Sequence, residues 1–596
     1  MDIESVTAAK NRSKQAEDAE MGNCSRTWHV GLFFDGIHRN IEQDAPVQRL
    51  SNVALLFRAF PDRDQNTPLH TYNTFYISGL GTPFNECLTA KLYTIMDSAQ
   101  SSALDDLKNH PGEIVKDAGK TYLKDGGNWW EIVKDSGKKL IKPAEWKKLA
   151  DDTAKNAVKK TFIESTPWLR DHPLMADMLV TGIDTRIISA KTTFKEAFNE
   201  AKDKSQIPIK LISVSLFGYD LGATLARKFI DLLLGDICQK QGDKYTYQGI
   251  PVEIIFTGLF DCSRHTPASC NNGVDWYVAM FGKPGGMISP LLGDKSIDQH
   301  SALPKAVKNA LHLVAAHETR VWRGIYRLGG KNEKHQEELL PGCSEDVGGG
   351  LKPDEQKPSA ELSRVALHRM YRVATMAGVP FQDFQTLQVH SKIVASYFLM
   401  QDSVKKKSVA HWTAFYQQAV PYKKLSVTAL NYHLDSYIEW LGKQFYQYRT
   451  ECMKYQKQSG QVLLSPGASA GMLGITREAQ QTVREFQHER HLLKKKWGWL
   501  DDVHSAAVGM QNSMEMHAAD KRRDIVPEVY APALRRAKRF LEYAHTAYRG
   551  LPLPCPDDQA PSEMFAWFVH DVQTVDRGAS ISQDFLVIRP METPAD

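Results

Sequence analysis

The residues best placed to do chemistry lie in Gly218-Tyr219-Asp220-Leu221-Gly222. This stretch follows the apolar run Ile209–Phe217 and precedes the helical run Ala223–Leu234. Strand, Gly-x-[nucleophile]-x-Gly turn and helix together make a nucleophile elbow. The two glycines permit a sharp turn, the middle side chain stands at the top of the sheet, and the helix N-terminus points at it. Backbone N–H groups there, notably that of Leu221, could stabilise an oxyanion. In an acyl hydrolase the middle residue is normally Ser; here it is Asp220. Such an enzyme also needs an acid and then a His downstream. Asp261 ends the apolar run Val252–Phe260, and His317 follows in Ala315-Ala316-His317-Glu318-Thr319-Arg320. The acid would orient the imidazole and the imidazole would relay protons. A His among alanines also suits a packed core position, and His265 and His312 are nearer rivals in sequence, though less clearly at a strand end.

These side chains need a scaffold that carries them to one place. Thr27–Phe34 reads as a buried strand ending at Asp35-Gly36, and Tyr76-Ile77 precede a second turn, Gly79-Leu80-Gly81-Thr82. Ile209–Phe217, Val252–Phe260 and Leu311–Ala316 continue the series, with helical stretches between. That alternation predicts an α/β fold with a mostly parallel sheet and helices on both faces. Ligands of open parallel sheets sit beyond the carboxyl ends of the strands, so Asp35, Asp220, Asp261 and His317 are expected on one rim. Ser213 and Ser215 are the nearest hydroxyls to the elbow. They stand two apart in their strand, so both point to one sheet face rather than to the rim.

The 596 residues include 42% hydrophobic and 24% charged side chains, ample for a globular core and unlike a disordered or disulfide-scaffold chain. A net charge of +4 gives no whole-chain bias toward nucleic acid. The first twenty residues lack the apolar segment of an export signal, and no stretch suits a spanning helix. Eight scattered cysteines without a CxxC pair predict manufacture in a reducing cytoplasm. The expected organisation is a polar leader (1–27), a catalytic α/β domain (28–384) with a helical, Lys- and Trp-rich insertion at about 95–200, and a mainly helical region (385–596). The insertion carries a near-repeat, EIVKDAGKTYLKD at 113–125 and EIVKDSGKKLIKP at 131–143, with Trp129, Trp130 and Trp146 nearby. It reads either as an amphipathic lipid-surface segment or as a solvated helical insertion. Later, Leu387–Leu399, Tyr432–Glu451, Ala479–Lys496 and Pro532–Tyr548 look helical, and Ser459–Gly474 is a candidate boundary. Lys494–Lys496 leads into Trp497, a second basic-aromatic feature.

The blocks FFDG (33–36), SNVALLFRAF (51–60), SGLGT (78–82), GYDLGATLAR (218–227), FTGLFD (256–261), AAHETR (315–320) and PGCSEDVGGG (341–350) resemble, in order, the first lipase-effector family of type VI secretion systems, whose catalytic domain is α/β-hydrolase-like. ELSRVALHRM (361–370) and FVHDV (568–572), which contains His570, are similar to further blocks of it. The resemblance is specific from about 28 to 380 and thin from 385 to 560. It implies an antibacterial phospholipase A-type hydrolase of membrane glycerophospholipids. Such a protein leaves the producing cell on a secretion spike, acts in the periplasm or at the membrane of a target cell, and is countered by an immunity protein. By position, Asp220 stands at the nucleophile, Asp261 at the acid and His317 at the base, with Asp35 and Gly36 beside the site where an oxyanion donor would lie. No cofactor is implied; calcium, which some lipases bind, has no ligand set supporting it here.

Two departures from the family pattern matter. Ser344 stands where many members have His, which leaves His317 as the better base and gives Asp346 a structural turn. A carboxylate at 220 has no proton for an imidazole to remove. Three readings follow: an inactivated triad, a hydrolase-fold binding or cargo module without catalysis, or an Asp nucleophile of the kind that opens C–halogen bonds or epoxides.

Overall fold

The computed structural model describes residues 25–84, 182–264, 301–321, 323–352, 354–465, 475–519, 530–553, 559–571, 581 and 583–594. The leader up to residue 24, the near-repeat with its three tryptophans, and His265 lie outside the described residues. So does the inserted segment as far as residue 181. The chain divides into two compact units: Met1–Ala315 with Trp322–Ala410 and Pro590–Asp596, and Ala316–Val321 with His411–Arg589.

The first unit is built on a mixed sheet. Its parallel strands are β1 (Arg26–Phe34), β2 (His70–Ile77), β3 (Ile209–Tyr219), β6 (Ile250–Phe260), β8 (Ala310–Ala315) and β10 (His335–Leu340), in the spatial order β10-β8-β6-β3-β1-β2. An antiparallel hairpin, β4 (Gln239–Gln241) and β5 (Lys244–Tyr247), pairs with the start of β6. From β1 the chain moves outward to β2 and then crosses to β3 on the other side. The strand order therefore reverses between β1 and β3, where ligands of doubly wound sheets bind.

Alternation along the strands decides what each face carries. Trp28, Val30, Leu32 and Phe34 of β1 pack with Ile212, Val214 and Leu216 of β3 on one face. Two helices cover that face, α3 (Ile183–Asp203) and α4 (Leu221–Leu232), through Phe194, Phe198, Leu225 and Phe229. Phe33, Phe217, Phe256 and Phe260 pack on the other face, beneath α2 (Asn52–Ala59) and α6 (Leu362–Met376). Short helices α1 (Ile41–Asp44) and α5 (Ser344–Gly348) follow strand ends. Nearly continuous apolar strands are what a parallel sheet buried on both faces requires.

Strand β10 is not evident in the sequence. HQEELL is two-thirds polar, and at the sheet edge its carboxylates are met by arginines: Glu337 by Arg327 at 2.8 Å and Glu338 by Arg369 at 2.9 Å. A small second sheet joins β7 (Ser263–Arg264), β9 (Gly324–Tyr326) and a C-terminal strand, Met591–Glu592.

The predicted helix over Leu387–Leu399 is two short ones, α7 (Phe384–His390) and α8 (Lys392–Ser396). Ser391 breaks the run with φ −153° and ψ 91°, and its hydroxyl caps the second helix by accepting from Val394 N–H. In the second unit α9 (Val409–Ala419) leads to α10 (Val427–Leu464), α11 (Arg477–Trp497), α12 (Leu500–Ala519), α13 (Tyr530–Tyr548) and α14 (Gln559–Trp567). Helix α10 continues through Gly460 to Leu464, so the first part of the expected boundary Ser459–Gly474 is helical, and residues 466–474 lie outside the described residues. Pro532 falls in the first turn of α13, where its missing N–H costs no helical bond. Lys494–Lys496 occupy the last turn of α11, where cations oppose the helix dipole, and Trp497 meets the Trp440 ring. Among the described residues no helix is long and apolar enough to cross a membrane.

Candidate functional site

Three of the expected residues stand at the carboxyl ends of neighbouring parallel strands: Asp35 after β1, Asp220 after β3 and Asp261 after β6. The elbow itself is sharp. Asp220 has φ +53° and ψ −125°, a strained backbone for any residue but Gly, and α4 begins at the next position. The flanking glycines are sterically required. A Cβ on Gly222 would lie 2.2 Å from the Asp35 carbonyl oxygen, and one on Gly218 would lie 2.4 Å from the Ala223 Cα. Leu221 opens α4, in the turn whose N–H groups have no intrahelical acceptor.

The Asp220 side chain is buried and engaged on both oxygens. Ser263 Oγ donates to Oδ1, and Arg323 Nη1 lies 3.8 Å from Oδ2. Arg323 also approaches Glu345 at 3.5 Å. One guanidinium is thus shared by two buried carboxylates, Asp220 and Glu345. Burial and the charge of Glu345 drive the adjacent Tyr219 hydroxyl well above its ordinary range, while Arg39 and Arg323 pull the other way. Ser344 Oγ lies 3.5 Å from that hydroxyl.

Asp261 holds a φ of +43° and accepts from Ala315 N–H at 2.9 Å, tying the end of β6 to the end of β8. Asp35 accepts from Gly36 N–H (2.8 Å), Ser51 Oγ (2.8 Å) and Tyr76 Oη (2.6 Å). Burial raises its pKa; those hydrogen bonds and Arg39 oppose the rise. The Gly36 N–H expected to face an oxyanion is directed at Asp35, and the Asp35 carboxylate knits together β1, β2 and the start of α2.

His317 lies two residues beyond the end of β8 and belongs to the helical unit. Its ring is buried against Tyr416, His433, Tyr437 and Phe565. Desolvation, followed by the neighbouring His433, drives its pKa well below the ordinary histidine value. His433 Nε2 lies 2.8 Å from the Tyr422 carbonyl, which can only accept, so that nitrogen carries the His433 proton. Burial holds His433 neutral, with a pKa lowered to about 4, so its Nδ1 accepts from Tyr416 Oη at 2.9 Å. His317 Nε2 lies 3.0 Å from the Tyr416 oxygen, and the His317 ring also meets the His433 backbone carbonyl, which can only accept. A triad base turns that nitrogen toward the nucleophile, whereas here it faces Tyr416.

The second-rank residues fall elsewhere. Ser213 and Ser215 are buried within β3, before its rim. Asp346 Oδ2 accepts from Cys343 N–H at 3.0 Å in the reciprocal cap of α5, a structural turn. His570 is buried in the helical unit beside Asp571, which accepts from Tyr437 Oη. His312, a rival base, accepts from Cys262 N–H at 2.9 Å and faces Glu337 at 3.3 Å. Its imidazole and Arg327 help hold Glu337 down to about 2 against the opposing effect of burial. The four cysteines in the described residues are buried and form no disulfide, and no metal-binding group of three or more His, Cys, Asp or Glu occurs among those residues. Sequence reasoning missed Ser263, Arg323 and Glu345. Only Ser263, two residues after Asp261, carried a positional signal.

No protein-family profile matches the chain, and no curated protein matches it. Among solved structures, an uncharacterized protein from Pseudomonas aeruginosa is similar over 99% of this chain and 83% of its own, at 15% identity and a TM-score of 0.52. That likeness concerns the fold: a mixed α/β unit with a central sheet and a helical C-terminal region. The Tle1 effector bound to the VgrG spike from the Type 6 secretion system aligns over 55% of this chain and 52% of its own, at 18% identity and a TM-score of 0.26. A superposition that loose supports no structural inference.

Proposed function

We propose that this chain is a lipase scaffold of the type VI effector kind whose nucleophile elbow is held silent by a carboxylate. The observation that carries the reading is Asp220 at the apex of a strained strand–turn–helix, engaged by Ser263 and Arg323 where a serine hydroxyl would attack. A carboxylate paired in this way offers no proton to a base, and its charge opposes the negative charge that develops on an ester carbonyl. In the active form, Ser at 220 would attack a glycerophospholipid ester, with Leu221 N–H at the oxyanion, Asp261 as acid and His317 as base. His317 would first have to release Tyr416. The phospholipid membrane, a secretion spike, an immunity protein and action at a target cell's membrane belong to the same proposal.

The test is fatty-acid release from mixed phospholipid vesicles. The unmodified chain is expected to release none and Asp220→Ser to release it steadily. His317→Ala in the Ser background should lower the rate by about 10³–10⁶-fold. Robust hydrolysis by the unmodified chain overturns the silent elbow. A folded Asp220→Ser protein that releases nothing, beside an active control lipase, overturns the esterase reading. It leaves the second reading, a hydrolase-fold binding module, which the Arg323 pairing favours.

A further inference from the structure

At the opposite ends of the strands, where β1 and β2 begin, the α/β unit has a cavity of about 200 Å³. Three of its lining residues are cations, Arg26, Arg63 and Lys204, against one carboxylate, Glu200. Glu200 is reached by Arg63 at 2.7 Å and by Lys204 at 2.5 Å, so a single anion serves two exposed cations. Arg26 is buried, 4% exposed, with Nη1 donating to Thr71 Oγ1 (3.0 Å) and Nη2 to the Ala201 carbonyl (2.7 Å). Its Nε is buried and has no partner among the described residues.

The neutral lining residues share one property: their acceptors are taken by the protein. Asn66 Oδ1 accepts from Tyr72 N–H at 2.7 Å, and Asn73 Oδ1 from the Trp28 indole at 2.7 Å. These donors fix the orientation of both amides and leave the NH₂ groups as the remaining functions. The Thr67 oxygen accepts from His70 N–H at 3.1 Å and the Ser205 oxygen from Ile207 N–H at 3.2 Å. With Thr71 accepting from Arg26, three hydroxyl protons remain to be donated. No acceptor for these amide and hydroxyl donors occurs among the described residues.

We propose that this cavity binds a phosphoryl group. A pocket that presents donors and excess positive charge suits a ligand made of acceptors, and five neutral donor groups beside the guanidinium groups of Arg26 and Arg63 exceed what the two oxygens of a carboxylate can use. The volume admits a phosphate or a small phosphate ester. The assignment is independent of the esterase reading, since it uses the other ends of the same strands.

Isothermal titration of the full chain with inorganic phosphate, at neutral pH and low salt, tests it. One phosphate per chain is expected. Asn66→Asp retains an oxygen for Tyr72 N–H but replaces the amide donor by a charged acceptor, and should weaken binding at least about tenfold. Arg63→Gln, at an exposed position, should weaken it about three- to tenfold. Glycerol 3-phosphate and glycerophosphocholine distinguish the sources. Binding of the monoester alone assigns a soluble phosphomonoester, and equal binding of the diester assigns a lipid headgroup. If phosphate does not bind, or binds unchanged in both variants while their thermal unfolding matches that of the parent, the site is wrong.

Discussion

The two units bury their chemically suggestive residues in different electrostatic states. At the rim of the α/β unit the groups are charged and matched: Asp220 and Glu345 share Arg323. In the helical unit the His317–Tyr416–His433 chain is neutral, closed by a carbonyl and walled by aromatic rings. Burying an ion is costly unless a counter-ion and hydrogen bonds accompany it, whereas a neutral chain needs only that each donor find an acceptor. The rim therefore depends on keeping its charges paired, and the histidine chain on remaining uncharged.

The largest effect should come from unpairing the rim. Arg323→Met removes the cation that two buried carboxylates share and is expected to cost roughly 3–5 kcal/mol. Hydrogen exchange read on peptides of β3 and β6 would show it; unchanged protection there would mean the pairing has little energetic weight. The next effect is acidic. His433 has its pKa depressed to about 4 in the folded state, so its contribution is full above the ordinary histidine value of 6.5 and is lost as pH falls toward 4. The helical unit should lose on the order of 3 kcal/mol over that window, and His433→Gln should flatten the profile. A flat profile in the parent chain would contradict the neutral chain.

Tyr416→Phe removes the central hydroxyl and takes one hydrogen bond from each histidine, at a cost of about 1–3 kcal/mol in the unfolding of the helical unit. Equal stability would show that the packed rings alone suffice. The smallest change is expected at an exposed pair. Arg535→Ala breaks a 3.3 Å contact to Asp435 and should shift stability by less than about 1 kcal/mol. A larger shift would erase the contrast between paired buried and paired exposed charge.

The legible parts of the site are those set by short-range pattern. Apolar runs ending in Asp35, Asp220 and Asp261 marked three strand ends, and a parallel sheet carries such ends to one side. The two-residue spacing of Ser213 and Ser215 likewise indicated a shared face inside the strand. Strand β10 escaped because an edge strand tolerates glutamates once arginines meet them. Ser391 stopped a helix that periodicity alone would have continued.

The composition, the strand–turn–helix around Gly218 and Gly222, and the presence of a carboxylate at the elbow are properties of the sequence itself, since each depends on neighbouring residues. The partners of that carboxylate depend on tertiary structure. Arg323 follows His317 by only six positions, yet the two belong to different compact units, and one meets Asp220 while the other meets Tyr416. Glu345 and Ser263 reach the elbow from other strand ends. Hydrogen bonds and ion pairs act over a few ångströms, so chain segments far apart in sequence exert them only after folding has brought them together.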